Sequence, residues 1–218
     1  VSVVNLSGIK AVAAGKYHNL ALGENGTVWA WGGGAEGQLG NNSTNDRTEP
    51  VSVLDNVAAV AAGNEHSLAL KNDGTVWAWG TNASGQLGDG SIAKWGAKQL
   101  TPVQVSIAST VTAIAAGEKH SLALTSEGTI WAWGSNSSGQ LGDGSATGWS
   151  ALQSSPALIP VLANITAVAA GGTHSLALQA NGEGWAWGSN SGGQPGDQQT
   201  QDKTTPTKVD TMTSFARI

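Results

Sequence analysis

The chain repeats itself four times, and this restricts its fold more than any other feature. AAGKYHNLAL ends at Leu22, AAGNEHSLAL at Leu70, AAGEKHSLAL at Leu124 and AAGGTHSLAL at Leu178. After each comes a short polar turn and then a tryptophan block: TVWAWG at 27–32, TVWAWG at 75–80, TIWAWG at 129–134 and GWAWG at 184–188. Gly-Gln-Leu-Gly follows at Gly37, Gly85 and Gly139, and Gly-Gln-Pro-Gly at Gly193. Each unit then runs through a polar stretch to Pro50, Pro102, Pro156 or Pro206. His18, His66, His120 and His174 mark one register, with intervals of 48, 54 and 54 residues. The longer intervals read as six-residue insertions around Ile92–Gln99 and Ala146–Ser154.

Each unit reads as antiparallel strands. SLAL and the tryptophan blocks are short, alternate in polarity and are bounded by Gly, Asn and Asp. GENG, KNDG, TSEG and QANG lie between them, and Asn-Gly or Asp-Gly predicts a hairpin turn in which both residues take positive φ. IKAVAA, VAAVAA, VTAIAA and ITAVAA supply a further strand per unit, too short and too closely flanked by Gly for helices. The result is an all-β chain of four blades, each of about four antiparallel strands, arranged as a β-propeller. The Ala-Ala-Gly and Leu-Ala-Leu blocks suit the narrow centre, and the tryptophan pairs suit the space between blades. The whole chain, 1–218, is one repeat domain with units at about 1–50, 51–102, 103–156 and 157–206. Residues 207–218 read as the start of a further unit, because TKVDTMTSFARI aligns with VSVLDNVAAVAA.

Composition removes several classes of function. There is no cysteine, hence no disulfide framework, no Cys-ligated zinc and no thiol chemistry. Only 11% of residues are charged and the net charge is −5, a poor basis for binding nucleic acid. No apolar run is long enough for a membrane-spanning helix, and VSVVNLSGIK has no signal-peptide pattern. No HExxH, phosphate-binding Gly loop or Ser-His-Asp grouping marks an enzyme, and no cofactor is implied. His66 and Ser67, adjacent on a strand, point to opposite faces and cannot pair with each other.

The block order resembles the regulator of chromosome condensation repeat family, with its G-x-x-H-[ST]-x-A-L, D-G-x-[VL]-[YW]-x-W-G and N-x-x-G-Q-L-G pattern. All four units match it. The resemblance implies a β-propeller, usually of seven blades, so four units imply a section of a larger ring or a ring closed by oligomerisation. It also implies a non-enzymatic scaffold that presents blade loops to a protein partner. A light-sensing member of the family uses Gly-Trp-Arg-His-type motifs. The matching positions here hold Lys16 and Tyr17, Asn64 and Glu65, Glu118 and Lys119, and Gly172 and Thr173. The composition, rich in Gly, Ala, Ser, Thr and Asn, is closer to bacterial and extracellular members, with a cytoplasmic setting as the alternative.

Trp29 and Trp31, Trp77 and Trp79, Trp131 and Trp133, and Trp185 and Trp187 read as inter-blade core rather than as a platform for sugars or bases. The four histidines read as structural groups bonding to backbone rather than as metal ligands. Asp89, Asp143 and Asp197 read as turn caps rather than calcium ligands, and Gln38, Gln86, Gln140 and Gln194 as structural. Trp95 and Trp149 stand apart, inside the insertions and 54 residues from each other, and are the candidate contact residues. Lys94 and Lys98 flank the first of them and favour an acidic partner. The loop tryptophans also frame one alternative, a glycan-binding module, and the repeated strand type at both ends frames another, a structural unit that assembles with copies of itself.

Overall fold

A computed structural model describes residues 3, 6–91, 96–145, 147–148 and 150–209. Among the described residues, sixteen strands form four sheets, each a four-stranded antiparallel meander. Blade one comprises β1 (Ile9–Ala14), β2 (His18–Gly23), β3 (Val28–Gly32) and β4 (Arg47–Leu54). Blade two comprises β5 (Val57–Ala62), β6 (His66–Lys71), β7 (Val76–Thr81) and β8 (Lys98–Val105). Blade three comprises β9 (Val111–Ala116), β10 (His120–Thr125), β11 (Ile130–Ser135) and β12 (Leu152–Leu158). Blade four comprises β13 (Ile165–Ala170), β14 (His174–Gln179), β15 (Gly184–Gly188) and β16 (Lys203–Lys208). The four prolines lie within the outer strands, β4, β8, β12 and β16, where a missing N–H is tolerated because one side has no strand to pair with.

The hairpin between the second and third strands departs from the expected turn. In blade one the Gly26 N–H donates to the Gly23 carbonyl, and Gly26 alone takes a positive φ, of 83°. Asn25 keeps negative φ and uses its Oδ1 to accept from the Thr27 N–H at 3.0 Å. This is a type I turn closed by a left-handed glycine, the form favoured when more than two residues join the strands. The sequences vary before the glycine because only the glycine has to leave the normal φ range.

The inner strands β1, β5, β9 and β13 approach one another, and their Ala-Gly ends line an axial cavity of about 320 Å³. Small side chains are required there because the blades converge. Apolar packing lies between blades. Leu20, Leu22, Val28 and Leu39 of blade one form one core with Val57, Ala69 and Trp79 of blade two. Two further cores repeat this arrangement around Trp133 and Trp187. Trp79, Trp133 and Trp187 are fully buried, whereas Trp31, on the first blade, is only half-buried.

Backbone bonds tie each blade to the next at three radii. Near the axis, Lys16 N–H donates to the Asn64 carbonyl at 3.0 Å, Asn64 to Glu118 at 3.2 Å and Glu118 to Gly172 at 2.9 Å. Farther out, the N–H of Val57, Val111 and Ile165 reach the hairpin carbonyls of Gly26, Gly74 and Gly128. At the rim, Asn42, Gly90 and Gly144 donate to Leu100, Ser154 and Thr204. These joints make the tryptophan positions unequal in energy. Trp133→Ala should cost about 3–5 kcal/mol in urea unfolding, and Trp31→Ala distinctly less, because its indole is only half-buried.

Candidate functional site

Two features dominate the molecule: a buried polar relay at each joint, and a loop face that the relay holds rigid. In the first relay, His18 Nε2 lies 2.8 Å from Ser67 Oγ of the next blade. Ser67 donates its hydroxyl proton to the Gln38 carbonyl at 2.9 Å, and Trp79 donates its indole N–H to the same carbonyl at 2.8 Å. The same set recurs as His66, Ser121, Gln86 and Trp133, with the His–Ser separation at 3.1 Å. It recurs again as His120, Ser175, Gln140 and Trp187, with the separation at 3.0 Å.

The relay assigns the histidine tautomer. A serine that gives its proton to a carbonyl can only accept from the imidazole, so Nε2 carries the proton. Nδ1 of His18, His66 and His120 is buried with no partner, which suits a bare acceptor better than an N–H. The imidazole lies against the glycine three residues before it; a Cβ on Gly117 would collide with the His120 ring. Burial pushes the His18 pKa down to about 4, and those of His66 and His120 to about 3.

A Ser–His pair of this kind is not a nucleophile with its base. Catalysis needs Nε2 bare to take the serine proton, and here Nε2 donates. His18, His66 and His120 therefore bond to a serine side chain on the next blade, not to backbone as expected from sequence. His66 and Ser67 do not pair with each other; each pairs across a different joint.

The glutamines and aspartates shape the loops. Gln38, Gln86, Gln140 and Gln194 each accept, through Oε1, the backbone N–H two residues earlier. Asp89 accepts from the Ser91 N–H at 2.9 Å and the Ser91 hydroxyl at 2.6 Å, and Asp143 accepts from the Ser145 N–H. Burial alone would raise the Asp89 carboxyl, but hydrogen bonds from Ser91, Gln99 and Asn82 hold it below its ordinary value. Among the described residues, no group of three or more His, Asp or Glu side chains could hold a metal ion.

Lys98 opens β8, and its ammonium donates to the Ala35 carbonyl at 2.8 Å beside Glu36 at 3.7 Å. It thus ties the outer strand of blade two to the loop of blade one. Lys94, Trp95 and Trp149 lie outside the described residues.

The loop face holds residues that the sequence reading passed over. The dipeptide before each histidine, Lys16–Tyr17, Asn64–Glu65, Glu118–Lys119 and Gly172–Thr173, differs in every blade although its flanks barely change. Glu36, Asn64, Glu65, Ser84, Glu118 and Lys119, from blades one, two and three, line a groove of about 290 Å³. A smaller recess of about 140 Å³ continues past Lys119 to Thr173. Tyr17 is 58% exposed, with the Lys16 ammonium 4.9 Å from its ring centre. The Tyr17 phenol first, then the Glu65 and Glu118 carboxylates, hold the Lys16 ammonium above its ordinary pKa. The variable dipeptide within an otherwise constant block was the signal that could have found this surface.

These features define a class: a β-propeller of four-stranded blades, locked by a repeated His–Ser–carbonyl–Trp relay and varied on one loop face. The RCC1-like domain pattern matches residues 1–218, and the chain belongs to that family. It is 32% identical over 215 residues to the mitochondrial RCC1 domain-containing protein RUG3 of Arabidopsis thaliana, covering 94% of this chain and 47% of that one. It is 38% identical over 190 residues to the human probable E3 ubiquitin-protein ligase HERC6, covering 85% of this chain and 13% of that one. Prp20p of Saccharomyces cerevisiae, described with its binding properties to Gsp1p and histones, superposes with a TM-score of 0.84 at 28% identity, over 95% of this chain and 52% of that one. The same yeast RCC1 bound to Kap60 also gives 0.84, at 29% identity, over 95% of this chain and 50% of that one. The chain thus spans about half the length of RUG3 and of Prp20p, and a small part of HERC6.

The relay makes stability depend on acid. The three buried histidines have folded pKa values below the ordinary 6.5, so the unfolded chain binds more protons as pH falls from 6.5 toward 4. Their contribution is complete above about pH 6.5 and shrinks by roughly 1 kcal/mol per histidine per pH unit below it. Urea midpoints across this range should fall accordingly, and His120→Asn should flatten the slope by about a third. Ser121→Ala, which removes the acceptor for His66 and a donor to Gln86, should cost about 1–3 kcal/mol at neutral pH.

Proposed function

We propose that this chain is a non-enzymatic scaffold that presents its loop face to a protein partner. The observation that carries the reading is the division of labour within each repeat. Residues that bond one blade to the next are nearly constant, while the partly or fully exposed dipeptide beside them changes charge and shape from blade to blade. Variation on one face of a rigid frame is what specific recognition uses, and stacking alone would not require it. The yeast relative's binding to Gsp1p and histones, and its complex with Kap60, favour a protein partner. HERC6 is a ligase by name, but the match spans 13% of its length, so no catalytic role is carried over.

The groove also suggests partner chemistry. Glu65 and Glu118 stand beside Lys119, and Glu36 is paired with Lys98, so the groove carries both signs of charge. Such a surface favours a partner segment with a complementary pattern of charges. The low-charge, cysteine-free composition fits placement outside the cell or on its surface.

Crosslinking followed by mass spectrometry should place the partner's contacts on Tyr17, Glu65 and Lys119. Reversing Glu65 and Glu118 to Lys should weaken binding at least tenfold without changing the melting temperature by more than a few degrees. Contacts confined to the outer strands β4, β8, β12 and β16 would refute this reading.

A further inference from the structure

The hairpin turn between the second and third strands carries a reactive step. Asn25–Gly26 in blade one and Asn181–Gly182 in blade four are the two Asn-Gly steps of the chain. The same turn holds Asp73–Gly74 in blade two and Glu127–Gly128 in blade three. At an Asn-Gly step the following main-chain nitrogen attacks the asparagine side chain with least hindrance, because glycine places no Cβ in the way. Asn25 and Asn181 are exposed, so water and base reach them.

The folded turn commits the reacting groups elsewhere. The Gly26 N–H donates to the Gly23 carbonyl at 2.9 Å, and the Gly182 N–H to the Gln179 carbonyl at 2.9 Å. The side-chain carbonyls are engaged too: Asn25 Oδ1 accepts from the Thr27 N–H, and Asn181 Oδ1 from the Glu183 N–H, each at 3.0 Å. The attacking nitrogen has to lose its proton and swing toward the side-chain amide carbon, so its turn bond breaks first. Blade one adds a second restraint. Gly26 is buried, and its carbonyl accepts from the Val57 N–H of blade two at 3.0 Å.

We propose that Asn25 is a deamidation site gated by this hairpin, and that its isoaspartyl product prevents the joint between blades one and two from re-forming. The Gly26 nitrogen bonds to the Asn25 side-chain amide carbon and gives its proton to solvent. The amide nitrogen takes up a proton and leaves as ammonia, which closes a succinimide. Water then opens the ring. Attack at the side-chain carbonyl returns an ordinary aspartate, and attack at the main-chain carbonyl leaves the peptide running through the side chain as isoaspartate.

The fold accepts one product and not the other. Blade two already carries the aspartate: Asp73 Oδ1 accepts from the Thr75 N–H at 3.0 Å, and the Gly74 carbonyl still receives the Val111 N–H at 3.1 Å. Isoaspartate lengthens the main chain just before Gly26, where even an added Cβ would lie 3.3 Å from the Val57 nitrogen. The hairpin and its bond to Val57 cannot both close around the longer chain. Blade three is exempt, because the longer Glu127 side chain would have to close a larger and slower-forming ring.

Ageing the intact chain in warm, mildly alkaline buffer, with and without urea, and mapping its peptides by mass spectrometry tests this. In urea the peptides holding Asn25 and Asn181 should both gain the mass of an amide-to-acid exchange. Without urea, conversion at Asn25 should be at least about tenfold slower. Chains aged in urea are then refolded and melted, each against its own fresh sample. The wild type should lose more melting temperature than Asn25→Gln, which cannot form the five-membered ring; Glu127 shows that the position takes a side chain of that length. Equal rates with and without urea would overturn the gating, and no conversion in urea would overturn the site. Equal losses in the wild type and Asn25→Gln would overturn the effect on the joint.

Discussion

Everything in this fold hangs on one kind of acceptor, the backbone carbonyl of the glutamine in each Gly-Gln-Leu-Gly turn. Gln38, Gln86 and Gln140 each offer two lone pairs, and the next blade fills both, one with a serine hydroxyl and one with an indole N–H. A buried carbonyl left open costs about 1–3 kcal/mol, so the joint forms in one register or not at all. The tryptophan supplies apolar area as well as the proton, which couples packing to hydrogen bonding in a single side chain. The histidine completes the set from the first blade by donating to the same serine. The serine is thereby held with its proton toward the carbonyl.

Because this frame is fixed by buried groups, the residues beside it are free to differ. The dipeptide before the histidine stands at the end of an inner strand, next to the Lys16–Asn64, Asn64–Glu118 and Glu118–Gly172 backbone bonds. These bonds use only main-chain atoms, so any side chain can occupy the position. Tyr17, Glu65, Lys119 and Thr173 follow from that freedom. The proposed recognition would use positions whose backbone is constrained and whose side chains are not, and binding there would cost little ordering entropy.

Much of the fold was legible because its signals are local and fourfold repeated: strand alternation, turn glycines and block order all agree. The tryptophan pairs suit the space between blades by their bulk, their spacing and the family pattern, and Trp79, Trp133 and Trp187 are buried in the inter-blade cores. The His–Ser pairing was not legible, because His18 and Ser67 are 49 residues apart and meet only when two blades stack. Sequence reasoning compared each histidine with its own neighbour and found opposite faces, which is true and beside the point. The hairpin turn misled for another reason. Asn-Gly suggested a two-residue turn, but four residues separate the strands, and only Gly26 leaves the normal φ range. The loop face was missed because attention went to the insertions, whereas its signal was variation inside a conserved-looking block.

The rim bonds bear on how such a chain can lengthen. Asn42, Gly90 and Gly144 anchor the start of each outer loop to the following blade, and the outer strand resumes its pairing with the third strand regardless of loop length. The strand pairing gives blades two and three four more residues here than blade one, not the six read from the repeat intervals, the other two lying between the outer strand and β9 or β13; yet His18↔Gly32, His66↔Gly80 and His120↔Gly134 keep one register. The outer loop is therefore a graft site: a foreign peptide inserted between rim anchor and outer strand would be displayed without passing its strain to the joints.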